Sequence, residues 1–197
     1  MTYFPVFTKI NPDERVLIAG GGKVAGRKLG VLLSFDMAVD VLSENFDEEI
    51  RSEAANHPLV RLIKTDCQTF ELPEDVIYRF AIAATDDDAV NRVFAEHCRK
   101  RHIPVNIVDA PDECDFIFPS FVKKGDLVCA VSSGGVCPPA TQFFRDRIAD
   151  ILPDDIEDTM EEMGRLRDRL RKENPDHRQR ASVIYNELAG RYPWKSE

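Results

Sequence analysis

The sequence predicts an α/β fold, a doubly wound parallel sheet followed by a small α+β segment and a helical C-terminal segment. Three observations carry this. Short apolar runs recur between residues 15 and 108, and helical spacing follows most of them. The runs are continuous rather than alternating, as strands covered on both faces are. After Asp109 the pattern changes: two runs flank a Lys-Lys-Gly-Asp turn, and the rest of the chain is helical and strongly charged. At 197 residues, 43% hydrophobic and 31% charged, the composition is that of a folded protein. Length alone allows roughly 1.3 domains of ordinary size.

Arg15-Val16-Leu17-Ile18-Ala19 stops at Gly20-Gly21-Gly22 and predicts the first buried strand. Lys23 to Leu33 then carries Val24, Leu29, Leu32 and Leu33 at helical spacing. Ala38 to Leu42 predicts a second strand, Phe46 to Ala55 a helix and Val60 to Ile63 a third strand. Ile77 to Ala84 is the fourth, ending at Thr85-Asp86-Asp87-Asp88, where Thr85 or Asp86 is expected to cap a helix from Ala89 to Arg101. Pro104 to Val108 predicts the fifth strand. Strand–helix alternation of this kind closes through right-handed crossovers. Beyond it, Phe116 to Val122 and Leu127 to Ser132 predict two strands around the Gly125 turn, then a helix from about Ala140 to Ile151. From Pro153 onward the chain reads as helix with a break at Asn174-Pro175. The expected division is 1–112, 113–150 and 151–197.

Formal charge is −9, with 26 Lys and Arg against 35 Asp and Glu. Sequence-independent nucleic-acid binding rests on neutralising phosphates, so an acidic chain is not expected to do it. No window approaches the ~18 uncharged apolar residues of a membrane span. Met1 to Ile10 shows no secretory leader. The odd, scattered cysteines Cys67, Cys98, Cys114, Cys129 and Cys137 read as reduced thiols of a cytoplasmic protein. No Cys-x-x-Cys or His-x-x-x-His spacing offers a metal site, so none is expected.

Gly20-x-Gly22-x-x-Ala25 lies between a predicted strand and a predicted helix. There the first glycine permits a tight turn, the second lets amides approach a pyrophosphate, and Ala25 allows close helix–strand packing, as in a Rossmann-type domain. Near the end of the second strand, Glu44 either bonds the ribose hydroxyls or is a solvated turn residue. No Arg follows it to receive a 2′-phosphate, which favours NAD over NADP. Asp109, at the carboxyl end of a parallel strand, is either a general base or a turn former. Ser132-Ser133-Gly134-Gly135 is either an anion nest or a plain strand-to-helix turn. Arg165 to Arg180 holds seven Arg and Lys residues, read as a solvated helix paired with Asp168 and Glu173 or as a cationic wall for a polyanion.

Six motifs occur in order: Tyr3-Phe4-Pro5-Val6-Phe7, Gly20 to Ala25, Ala83-Ala84-Thr85-Asp86-Asp87, Val105-Asn106-Ile107-Val108-Asp109, Phe116-Ile117-Phe118-Pro119-Ser120 and Val131 to Gly135. Together they resemble the precorrin-2 dehydrogenase and sirohydrochlorin ferrochelatase family, the N-terminal module of siroheme synthase. The resemblance spans about residues 3 to 150. It implies NAD-dependent oxidation of precorrin-2 to sirohydrochlorin, by a homodimer in which the segment after Asp109 exchanges between subunits, with residues 113–150 as the dimerisation segment. It also implies that Asp109 is catalytic and that Ser133, Gly134 and Arg145 bind the tetrapyrrole. Cofactor contacts fall to Gly20, Gly22, Lys23, Val24, Ser43, Glu44, Asn45, Thr85 and Asp86. The chain departs from the family where Cys137-Pro138 replaces Ser-Pro and Gln142 replaces an Arg, while Arg145 is retained. No methyltransferase domain is expected before the end at Glu197. Two further readings accompany the dehydrogenase: added Fe²⁺ or Co²⁺ insertion, and a non-catalytic dinucleotide or tetrapyrrole sensor.

Overall fold

The structure is a computed structural model and describes residues 3–193. The chain divides between Ile117 and Phe118 into two compact units. In the first, β1 (Glu14–Ala19), β2 (Ala38–Ser43), β3 (Val60–Lys64), β4 (Ile77–Ala83) and β5 (Val105–Ile107) form one parallel sheet in the order β3-β2-β1-β4-β5. The central strands are the continuous apolar runs: Val16 to Ala19, Val39, Val41, Leu42 and Ala81 to Ala83 are fully buried. Burial on both faces is what removes the alternation from their sequence.

Helix α1 (Lys23–Leu33) buries Ala25, Gly26, Leu29 and Leu32 along one stripe, and α2 (Glu48–Asn56) buries Ile50. Helix α3 (Asp88–Lys100) buries Asn91, Phe94, Ala95 and Cys98. Its cap is neither Thr85 nor Asp86 but Asp87, whose carboxylate accepts from Ala89 N at 2.8 Å and Val90 N at 3.2 Å. Thr85 is held in the preceding loop, so the chain is free to enter a helix only two residues later.

Among the described residues, one charged side chain is buried outright, and it lies in the sheet. Asp40 of β2 is 1% exposed and meets Arg15 at 2.6 Å, while Tyr78 donates to it at 2.8 Å. The same guanidinium donates to the carbonyls of Val39 and Leu59 at 3.0 and 2.9 Å. Burial and the neighbouring carboxylate push the Tyr78 hydroxyl far above its ordinary range.

In the second unit, β6 (Ser120–Lys124) and β7 (Leu127–Val131) form an antiparallel hairpin turned by Gly125, at φ +54°. The strand expected from Phe116 therefore starts later. Phe116 packs edge-on against Phe80 of β4, ring centroids 5.0 Å apart, and so belongs to the first unit. Helix α4 (Pro138–Ile151) lies on the hairpin, tied by Ser120 and Thr141 hydroxyls 3.1 Å apart. Helices α5 (Ile156–Glu173) and α6 (His177–Arg191) pack together on either side of Pro175. Tyr192 donates to Asp155 at 2.7 Å and lies 2.6 Å from the buried Thr159 hydroxyl, closing the pair. No helix among the described residues is long and apolar enough to cross a membrane.

Helical geometry divides the basic stretch. At 3.6 residues per turn, Arg165, Arg169 and Lys172 share one side of α5, and Arg167 and Arg171 lie roughly 200° around. The ion pairs are also not those expected. Arg165 pairs with Glu161 at 3.4 Å and Arg191 with Glu162 at 2.7 Å, while Asp168 and Glu173 pair with none of the described residues.

Candidate functional site

The order of the sheet reverses between β1 and β4, which places the ligand-binding crevice of an open α/β sheet outside their carboxyl ends. The glycine turn lies there. Gly20 has φ +128°, and a Cβ on it would run into the carbonyl of Ala84 at the end of β4. A Cβ on Gly21 would overlap the carbonyl of Asn45 and come within 2.6 Å of Ser43 Oγ. Gly22 is different: nothing lies within 4 Å of the Cβ it lacks. The turn is thus clamped on two sides and open on the third.

Gly22 is the N-cap of α1 and offers no side chain to its orphan amides, and the first turn holds no acid. The N–H groups at Lys23 and Val24 are thereby left for an external anion, in the positive field of the helix end. Ala25 is fully buried and lets α1 sit close to the sheet. These features fit a dinucleotide pyrophosphate.

At the end of β2 the chain curls back on the turn. Ser43 Oγ donates to Asn45 O at 2.6 Å, and Asp47 N donates to Gly21 O at 2.7 Å. Glu44 stands exposed at this corner. Beneath it, the Cys67 thiol donates to Leu42 O at 3.4 Å, and burial pushes its pKa up.

At the end of β4 the loop is held by a residue that sequence reasoning passed over. Asn91, 2% exposed, accepts from Thr85 N at 3.0 Å and from Thr85 Oγ1 at 2.8 Å, and its amide donates to Thr85 O at 3.1 Å. Its one sequence signal is a polar residue on the apolar stripe of α3. Asp86 stays exposed. Gly21 was passed over too, since the fingerprint leaves that position free. Just beyond β5, Asp109 takes φ +61° and is exposed at the same edge of the sheet as Gly20, Ser43 and Thr85. A shallow cavity of about 820 Å³, lined by residues 69–74 with His97, Lys100 and Arg101, adjoins the C-terminal end of α3 and so the opposite edge.

The remaining candidates lie in the second unit. Ser132 Oγ accepts from Gly134 N at 3.1 Å and Ser133 Oγ from Cys137 N at 2.9 Å. Gly134 and Gly135 have φ +63° and +86°. Both hydroxyls thus shape the turn into α4. Arg145, two turns along, has Nε 2.6 Å from Asp146 Oδ1 but without hydrogen-bond geometry, so that buried N–H has no partner among the described residues.

Comparison with known proteins fits this geometry. Residues 8–120 match the family model NAD_binding_7, "Putative NAD(P)-binding". A siroheme synthase of Methylococcus capsulatus is 41% identical over 190 residues, 96% of this chain and 39% of that protein. One of Nitrosomonas europaea is 35% identical over 172 residues, 87% of this chain and 35% of that protein. The chain spans about two fifths of the length of these curated relatives. A solved structure titled "SirC, precorrin-2 dehydrogenase" superposes with TM-score 0.69 at 19% identity, covering 95% of this chain and 92% of that one, and so shares the fold. The resemblance carried by the six ordered motifs is to this same group of proteins.

Proposed function

The chain belongs to the NAD(P)-binding family matched over residues 8–120, and from that premise we propose that it is an NAD-dependent dehydrogenase oxidising precorrin-2 to sirohydrochlorin. The observation that carries the reading is the glycine turn, clamped at Gly20 and Gly21 and open at Gly22, on the same sheet edge as Asp109. Its siroheme synthase relatives supply the substrate class.

When bound, the dinucleotide takes the hydride. Gly20 and Gly22 would let the backbone approach the pyrophosphate, and the N–H groups of Lys23 and Val24 would hold it. Ser43, Glu44 and Asn45 would hold the ribose, where the exposed Glu44 carboxylate would accept from its hydroxyls and disfavour a 2′-phosphate. Thr85 and Asp86 border the crevice on the β4 side. Asp109 receives the proton that leaves the substrate with each hydride. Ser133, Gly134 and Arg145 bind substrate carboxylates, for which guanidinium is well matched. The protein acts as a cytoplasmic homodimer through residues 113–150, without nucleic acid or membrane. Phe143 and Phe144, packed edge-on at 5.5 Å and more than half exposed, support that association.

The test is an anaerobic assay of precorrin-2 with NAD⁺ or NADP⁺, followed by the absorbance of sirohydrochlorin, with Fe²⁺ or Co²⁺ added afterwards against the uncatalysed rate. NAD⁺ is expected to support turnover. Asp109→Ala should lower kcat by roughly a hundredfold or more, the usual worth of a positioned base, with the fold retained. Binding of both ligands without turnover sinks the dehydrogenase reading, and full turnover by the variant removes Asp109 from it.

A further inference from the structure

Within β5, Val105 and Ile107 turn their backbone groups away from β4, and no sixth strand among the described residues meets them. The returning chain meets them instead. Asp115 serves Val105, its carboxylate accepting from Val105 N at 2.8 Å and its own N–H donating to Val105 O at 2.9 Å. Cys114 serves Ile107 with a single atom, Sγ, which lies 3.1 Å from both Ile107 N and Ile107 O. That sulfur also reaches Ala110 O at 3.3 Å and accepts from Asn106 Nδ2 at 3.4 Å. The Asn106 amide in turn donates to Phe116 O at 3.0 Å.

Ile107 and Ala110 are the two ends of the turn that contains Asp109. The thiol therefore joins both ends of a turn in which one of the two central residues, Asp109, is a non-glycine at φ +61°. Such a conformation persists only where its surroundings fix it. We propose that Asn106 and Cys114 form a clasp that sets the direction of Asp109, making Cys114 a positioning residue for proton transfer; this rests on the dehydrogenase reading above. Burial raises the Cys114 pKa, so the thiol keeps the proton that it donates across the turn. To satisfy β5, Cys114 would need to contact only Ile107. The contact with Ala110 ties the strand to the far side of the catalytic candidate.

The experiment compares Cys114→Ala and Cys114→Ser by hydrogen–deuterium exchange over residues 107–114 and by steady-state kinetics with NAD⁺ and precorrin-2. The alanine protein should exchange faster in that segment alone, as a locally opened turn does. Its kcat should fall about tenfold or more, the size of effect that a misplaced catalytic group has, while the KM and the Kd for NAD⁺ stay within about twofold. Serine, which can donate and accept at the same place, should recover most of both. In an Asp109→Asn background, Cys114→Ala should lower the rate no further, because the two act as one unit. Asn106→Ala, which spares the thiol, covers the case of an unfolded alanine protein and should show a smaller loss with the same split between kcat and KM. Unchanged exchange and kcat, a parallel loss of NAD⁺ affinity, or additive losses in the double variant each overturn the clasp. A wild-type protein without turnover but with the expected exchange pattern overturns the dehydrogenase reading and the role in proton transfer with it, while the clasp stands as the tie that holds the Asp109 turn.

Discussion

Replacing Asn91 by Leu, which is close to it in shape, isolates the amide that holds the end of β4. Three hydrogen bonds to Thr85 disappear, at 2.8, 3.0 and 3.1 Å. Each is worth about 1 kcal/mol net, so the loss of stability should be about 3 kcal/mol, with little cavity term. The freed Thr85 loop must then be ordered by whatever binds beside it. Cofactor affinity should accordingly fall about tenfold, or 1.4 kcal/mol. Guanidinium unfolding of the variant gives the first quantity, and titration of intrinsic fluorescence with NAD⁺ gives the second. A loss below about 1 kcal/mol together with unchanged NAD⁺ affinity would show that the Asn91 amide does not hold the loop, and the reasoning fails.

Gly21→Ala places a Cβ on the Asn45 carbonyl, so the Ser43–Asp47 corner must move; NAD⁺ affinity should fall about tenfold or more, and an unaltered Kd would refute the clamp. Arg15→Leu strands the buried Asp40 carboxylate and should cost about 3–5 kcal/mol by denaturant midpoint, whereas Arg15→Leu with Asp40→Leu should regain much of it. Turnover of the folded Arg15→Leu protein should be unchanged, because Arg15, Asp40 and Tyr78 lie in the amino-terminal halves of β1, β2 and β4, away from the carboxyl ends. Cys98 is buried with its pKa pushed up to about 12, so near pH 8 it should stay unlabelled by a disulfide reagent until unfolding, while the exposed Cys137 reacts at once. Early labelling of Cys98 in the folded protein contradicts this.

The five strands were legible because a sheet covered on both faces writes itself as uninterrupted apolar runs. The glycine turn was legible because it follows one of them directly. What escaped the sequence depends on pairs far apart along it. Arg15, Asp40 and Tyr78 meet only once β1 lies between β2 and β4. Asn91 looks like a mismatch on α3 until Thr85 is seen above it. Gly21 is constrained by a carbonyl 24 residues away, which no local spacing encodes. The choice among Thr85, Asp86 and Asp87 as cap was undecidable locally, since all three can accept from helix amides. Arg165 to Arg180 shows the converse, since nearness in sequence left a solvated helix and a cationic wall both open, and the helix sends the members within α5 to different sides.

The two borders of the parallel sheet end in different ways. Along β3, Arg61 and Lys64 project exposed cations beside the open backbone groups, a common guard against pairing with another chain. Along β5, Cys114 and Asp115 already fill the hydrogen-bonding positions that an incoming strand would need. The sheet is therefore finished at five strands, resistant to edge-to-edge aggregation on both borders. On the β5 side the residues that give that protection include Cys114, proposed above to set the direction of Asp109, so a substitution that loosens the turn should also uncover an edge.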